Sequence, residues 1–366
     1  MKPIVMPVEH QAVKFAGFHL RAKANILRVV QYFQTLEATM FKRQFAMVMA
    51  ASISLGLGLF AAQAGAQTFP SQPVRIISPF PAGSGPDVVA RIVGERLSAN
   101  WKHPVVVDPR PGANGFIAVG AVKQAPPTGY DILLADVGHL SISPSLFKKL
   151  PYNPKADFTP VGGVYRTSFF VVVGANSPIQ SVKDLVAAAA VPGKLTYGSN
   201  SVGGPLHLGA AKLEAASGTK MLHVPFKEIS QLYAAVATGE VDWAMGSIAS
   251  AGALMRGGKL RFIAIADDVR SATLPSVPTL EESGGPKGVL ARSWVAAVVP
   301  KGTPAVVVDA LNKSLNDVLA QPEVVEKLAT FGFVPYPISP AALGSLIDSE
   351  TVVYAEVVKR TGASAD

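Results

Sequence analysis

Cysteine is absent from all 366 residues, which excludes disulfides, thiol nucleophiles and thiolate metal sites, and also the cysteine an exported lipoprotein needs for lipid attachment. Histidine is scarce, with 6 residues scattered along the chain, and no His-Glu-x-x-His or other compact cluster offers a metal site. Ser199 or Ser201, His207 or His139, and Asp136 could be assembled into a triad, but no Gly-x-Ser-x-Gly elbow frames either serine, so a periplasmic hydrolase is the weakest reading. Charged residues make up only 16% of the chain, and the formal net charge of +8 overstates its basic character. Residues 1–66 hold 7 basic and 2 acidic residues, leaving 26 against 23, a net of +3, in the rest. With no Lys/Arg cluster or aromatic-basic interleaving there, nucleic acid has nothing to bind. No catalytic residue, metal or cofactor is expected.

What the sequence does have begins with a leader. Met40-Phe41-Lys42-Arg43 is a positive start, Phe45 to Phe60 an apolar core, and Ala64-Gly65-Ala66 a small-residue cleavage site, which predicts a signal peptide over residues 40–66, cut near Ala66. A membrane anchor over Phe45 to Ala62 is the competing reading, disfavoured by its serines, its glycines and the Ala-x-Ala end. Residues 1–39 precede the expected translation start and are left out of the fold. The mature chain is expected free in the periplasm. The full chain is 49% hydrophobic, enough for two α/β cores after the leader is removed.

Residues 74 to 91 are the most informative stretch. Val74 to Ile77 reads as a short buried strand, Gly83-Ser84-Gly85 as a turn, and Pro86 as the first turn of a helix. A helix start reached this way carries unpaired N–H donors and partial positive charge, so it can hold a carboxylate or phosphate without Lys or Arg. A plain strand-to-helix connection explains the loop equally well. The glycine spacing fits no dinucleotide fingerprint, and no Lys-Ser or Lys-Thr follows to make a P-loop.

Strand and helix alternate onward through strands at Pro104 to Val107, Asp131 to Ala135, Phe169 to Val173, Leu195 to Gly198, Leu222 to Val224, Trp243 to Met245, Arg261 to Ala266 and Trp294 to Val299. That alternation predicts α/β architecture with mostly parallel sheets. The C-terminal helices from Ala305 and Pro340 lack strands for a domain of their own. They are expected to return to the first sheet, giving lobe 1 from residues 67–167 plus 292–366 and lobe 2 from 168–291, joined by two crossings. Ligands in such folds sit at strand carboxyl ends and between lobes. This points to the loops after Ile77, Leu134, Tyr197, Val224 and Met245.

The loop Tyr197-Gly198-Ser199-Asn200-Ser201-Val202-Gly203-Gly204-Pro205 repeats the design of the first: strand, small-residue turn, helix opened by proline. Two such helix starts facing each other would clamp a diacid, whereas an N-capping loop satisfying its own backbone is the plainer alternative. Here the chain resembles the Bug proteins, extracytoplasmic solute receptors of tripartite tricarboxylate transporters. The resemblance spans residues 68 to about 360. It rests on Phe80-Pro-Ala-Gly with Asp87 and Arg91, Arg110-Pro-Gly-Ala, Gly129-Tyr130, Leu150-Pro-Tyr with Asp157-Phe-Thr-Pro, the Tyr197 to His207 segment, His223-Val-Pro-Phe-Lys, Gly239-Glu-Val-Asp, Gly258-Lys-Leu-Arg and Leu274-Pro-Ser-Val-Pro-Thr. It implies a two-lobed periplasmic-binding-protein fold of the type II Venus-flytrap kind. It further implies that both loops clasp a small organic carboxylate for delivery to membrane permease subunits by a monomeric receptor. A receptor that presents the same clasp to a sensor kinase is the alternative.

The expected ligand-binding residues are Phe80, Ala82, Gly83, Ser84, Gly85, Asp136, His139, Ser199, Asn200, Ser201, Gly203 and Ser247. Three departures from the family pattern matter. Gly83-Ser84-Gly85-Pro86-Asp87 stands where Gly-Gly-Gly-Thr-Asp is usual, so a hydroxyl and an N–H are lost at Pro86. Glu228-Ile229-Ser230 replaces a glycine-rich stretch. Met245-Gly246-Ser247 lacks the common acidic residue, which turns the expectation from an amino acid toward a carboxylate without an amine. Asp87 is expected to stabilise its helix start and pair with Arg91, His207 to be neutral and packed, and Phe80 and Trp294 to lend apolar walls.

Overall fold

The computed structural model describes residues 69–365; the expected signal peptide and the stretch before it lie outside them. Two sheets organise the chain. Lobe 1 starts with β1 (Val74–Ser78), α1 (Gly85–Trp101), β2 (Val105–Pro109), α2 (Phe116–Lys123) and β3 (Asp131–Asp136). The short helices α3 (Ser143–Leu146) and α4 (Pro154–Asp157) lead into the long strand β4 (Phe158–Ser168). The chain then enters the second sheet through β5 (Phe170–Gly174), α5 (Val182–Ala188), β6 (Thr196–Ser199), α6 (Pro205–Ser217), β7 (Leu222–Pro225), α7 (Ile229–Thr238), β8 (Trp243–Gly246), α8 (Ile248–Arg256) and β9 (Leu260–Ile265). It returns through β10 (Arg292–Pro300) to α9 (Ala305–Leu319), α10 (Pro322–Ala329), β11 (Val334–Pro335) and α11 (Pro340–Thr361).

Strand order is β11-β4-β10-β3-β1-β2 in the first sheet and β7-β6-β8-β5-β9 in the second. The expectation of mostly parallel sheets needs correction. Parallel pairing holds for β2-β1-β3 and β7-β6-β8, but β10 runs antiparallel to β3 and β4, and β5 antiparallel to β8 and β9. The short edge strand β11 is antiparallel to β4 as well. For β5 and β10 the cause is the crossings: a chain that leaves one sheet and re-enters it from the far lobe comes back in the opposite sense, with no crossover helix to turn it round.

Alternation along the strands feeds two cores per sheet. Ile76, Leu134 and Val295 pack on one face against Val89 and Val93 of α1 and Leu311 of α9. Ile77, Leu133 and Trp294 pack on the other against Val119 of α2 and Tyr354 of α11. Both faces being covered, the strands read as continuous apolar runs. In the second sheet Val171 and Met245 face α5 and α6, while Val172 and Ala244 face α7 and α8. Phe80 packs against the first of these cores and Trp294 lies in the second.

The strand β4 is absent from the strands expected above, and it carries Pro160, Gly162 and Gly163, residues unfavourable in a strand. They serve close approach: a Cβ on Gly163 would sit 2.4 Å from the Tyr336 carbonyl oxygen, and one on Gly162 would sit 2.7 Å from Asn312 Nδ2. The strand still completes long antiparallel pairing with β10.

Candidate functional site

The first helix mouth is held by charge. The Gly83 N–H donates to the Asp87 carboxylate at 2.8 Å, and Arg91 Nε donates to the same oxygen at 3.0 Å. Asp87 is 1% exposed, so the Arg91 pair stabilises a carboxylate already bonded to the loop's own backbone. Gly83 turns the chain at φ +77°, where only glycine is unstrained. The Ser84 hydroxyl donates to the Pro81 carbonyl at 2.6 Å and makes no cap to the helix, so it shapes the turn. Ala82 and Gly83 are exposed and Phe80 half-buried. Among the described residues no acceptor faces the Gly85 and Asp87 N–H groups. The backbone donors of this mouth are thus left without a protein acceptor.

The second mouth is held by two neutral imidazoles. The Gly203 N–H donates to His207 Nδ1 at 2.8 Å, and the His207 ring stacks on His223 with centroids 3.9 Å apart. Burial, and then the charge of His223, brings the His207 pKa down to about 4, and burial lowers that of His223. Ser199, wholly buried, donates to the Ser201 carbonyl at 2.8 Å. With its proton there, its oxygen accepts from His223 Nε2 at 2.8 Å. Ser199 thus holds the loop in shape, in contrast to the expectation that its hydroxyl would face a ligand. The Asn200 side chain and the Ser201 hydroxyl, both half-buried, have no partner among the described residues, and neither do the Leu206 and His207 N–H groups at the start of α6.

The remaining expected residues lie around these mouths. His139 Nδ1 meets Asp136 Oδ1 at 2.6 Å, and the His139 N–H reaches the same oxygen at 3.1 Å. Burial opposes ionisation of Asp136, yet the charge and hydrogen bonds of His139, with the Gly138 amide, outweigh it and hold the carboxyl below its usual range. The Phe80 ring meets His139 edge-on at 6.1 Å, which joins the first mouth to the turn after β3. Ser247 caps α8 by accepting from the Ser250 N–H and is 7% exposed, so it too is a framework hydroxyl.

The lobes touch at both mouths. A Cβ on Gly85 would lie 3.2 Å from Ala249 Cβ at the start of α8, and one on Gly203 would lie 2.1 Å from Leu146 of α3. Sequence reasoning named His223 only within a family motif and gave it no site role, and it did not single out Leu146 or Ala249. His223 becomes visible only once β7 is known to lie beside β6, with Tyr197 opposite His223. The other two are created by the approach of the lobes. Among the described residues no cluster of His, Asp or Glu is arranged to hold a metal ion, and no helix is long and apolar enough to cross a membrane.

Two sheets, two crossings and helix starts with unpaired N–H groups beside the lobe contacts fit one class, a two-lobed solute-binding protein. Residues 89–363 match the tripartite tricarboxylate transporter family receptor, and the chain belongs to that family. It is 32% identical over 315 residues to BugT of Bordetella pertussis, covering 84% of this chain and 96% of that one. It superposes with a TM-score of 0.74 at 28% identity on R. palustris Rpa4515 solved with adipate, covering 81% of this chain and 99% of the other. MatC from Rhodopseudomonas palustris, solved with bound malate, gives a TM-score of 0.70 at 26% identity over 79% of this chain and 100% of that one.

Proposed function

We propose that this protein is a periplasmic receptor that closes its lobes over a small organic carboxylate and delivers it to the membrane subunits of a tripartite transporter. The observation that carries the reading is the pair of open helix starts, one in each lobe, whose free N–H groups at Gly85 and Asp87 and at Leu206 and His207 are suited to carboxylate oxygens. Asn200 and Ser201 add side-chain groups with no other partner. The leader expected over residues 40–66 fits export, and membership of a transporter receptor family supports the transporter partnership.

The body of the solute carries no amine in this reading. Ser247, where an acidic partner would stand, is occupied in capping α8. Adipate and malate, bound by two structural neighbours, are the natural first probes. Micromolar affinity is about 8 kcal/mol, within reach of a few charge-assisted hydrogen bonds and exclusion of water. Closure would follow from solute contacts to both lobes favouring the closed form.

A thermal-shift screen of the exported protein against a carboxylic-acid library, followed by calorimetry on the hits, tests the proposal. Saturable stoichiometric binding of one carboxylate without turnover is expected. Failure of every carboxylate, or chemical conversion of one, contradicts it.

A further inference from the structure

Behind the crossings lies a second cavity, of about 520 Å³, lined by none of the mouth residues. One wall is the middle of α6 in lobe 2, with Lys212; the other is β10 and α11 of lobe 1, with Trp294, Glu350, Tyr354 and Arg360, and β4 adds Arg166. The volume suits a small organic ligand.

Its charges are unbalanced. Of the cations on its walls, Arg292 pairs with Asp267 and Asp268, and Lys287 with Glu281. Arg166 lies over the Tyr336 ring at 5.8 Å, and Lys212 Nζ over the Tyr354 ring at 4.5 Å. Among the described residues, neither of these nor Arg360 forms an ion pair with a carboxylate. Three cations without an ion-pair carboxylate, Lys212 among them with only the Leu290 carbonyl at 3.4 Å, thus share the cavity with Glu350, the one carboxylate on its walls. Burial lowers the Lys212 pKa more than Glu350 restores it, and raises that of Glu350 more than Lys212 and Arg292 restore it, as for charged groups in a partly dry site. Trp294, 5% exposed, has an Nε1–H without an acceptor. The rest of the wall is aromatic and aliphatic, including Val289, Leu290 and Val353.

We propose that this cavity is a second anion site, taking a small carboxylate with an apolar body. Its carboxylate lies among Lys212, Arg166 and Arg360, and its body rests on Tyr354, Tyr336 and the aliphatic wall. Bare inorganic anions would satisfy the cations but leave that wall wet. Because Lys212 stands two turns from Pro205 on the same helix, an occupant touching both lobes reads the position of α6, and linkage then makes its affinity and that of the front cleft depend on each other. The site stands or falls independently of the front-cleft reading.

Tryptophan fluorescence of the exported protein, titrated with benzoate and separately with inorganic phosphate, tests it. Benzoate is expected to give a saturable change that is lost in Trp294→Phe and persists in Gly83→Val, where the front mouth is deformed. Lys212→Met should weaken it by about tenfold; Arg360→Gln, at an exposed position, is the second variant should Lys212→Met fail to fold. Phosphate should bind at least about tenfold more weakly. No saturable change up to about 10 mM benzoate, or a change abolished by Gly83→Val and indifferent to both cation variants, overturns the site. Phosphate binding as tightly as benzoate overturns the assignment of an apolar body.

Discussion

The two helix mouths share one design and are secured by different chemistry. At the first, Asp87 and Arg91 of α1 hold the Gly83 turn by a buried carboxylate. At the second, the stacked His207 and His223 hold the Gly203 and Ser199 turn by uncharged imidazole nitrogens. A carboxylate placed at the first mouth helps the helix start and is itself satisfied there. At the second, a cation at His207 would face the partial positive charge of its own helix start and would lose its acceptor for Gly203. The same backbone trap therefore has one mouth built on an ionised group and one that requires its groups to stay neutral.

The sharpest way to break the second mouth is Gly203→Val. It forces a branched side chain into φ +73° and against Leu146, and should cost about 100-fold in affinity for the carboxylate found by the screen, about 3 kcal/mol. Calorimetry reads the loss, and adding Leu146→Ala should recover part of it by relieving the contact. The corresponding break at the first mouth is Asp87→Ala. Removing the buried carboxylate leaves the Gly83 N–H and Arg91 without their partner, and urea unfolding should show a loss of about 2 kcal/mol.

Acid separates the mouths without any mutation. His207 is held near a pKa of about 4, below its usual value, so its contribution to stability is complete above about pH 6.5 and is lost as pH falls through that value toward 4 and below. The loss should reach on the order of 2 kcal/mol. His207→Gln, whose side-chain oxygen can still accept from Gly203, should flatten most of the difference between unfolding curves at pH 7 and pH 4.5, with His223 supplying the remainder. The smallest effect expected is Asn200→Ala, which removes an unpartnered side chain and should weaken solute binding about fivefold with unfolding unchanged.

Local pattern carried the mouths into view. Val74–Ser78 followed by Gly83 and Pro86 reads as strand, turn and helix because each residue obeys its own backbone preference, and the i,i+4 pair of Asp87 and Arg91 and the packed neutrality of His207 follow from position alone. Non-local features were invisible. Pro160, Gly162 and Gly163 disguised β4 because small residues there make room for Tyr336 and Asn312, which lie more than a hundred residues away in the chain. The hydrogen bonding of Ser199 is hidden for the same reason: its partner His223 arrives on a neighbouring strand whose position beside β6 the sequence does not give. The antiparallel sense of β5 and β10 depends on which strands flank the crossings, and that is a property of the whole topology.

A crystal structure of the protein closed on its carboxylate would test the central claim most directly. The account predicts carboxylate oxygens within about 3 Å, directly or through one bridging water, of N–H groups at both the Gly83–Asp87 turn and the Ser201–His207 turn. A solute bound by one lobe alone, or gripped only by lysine and arginine side chains with both turns left to solvent, would contradict it.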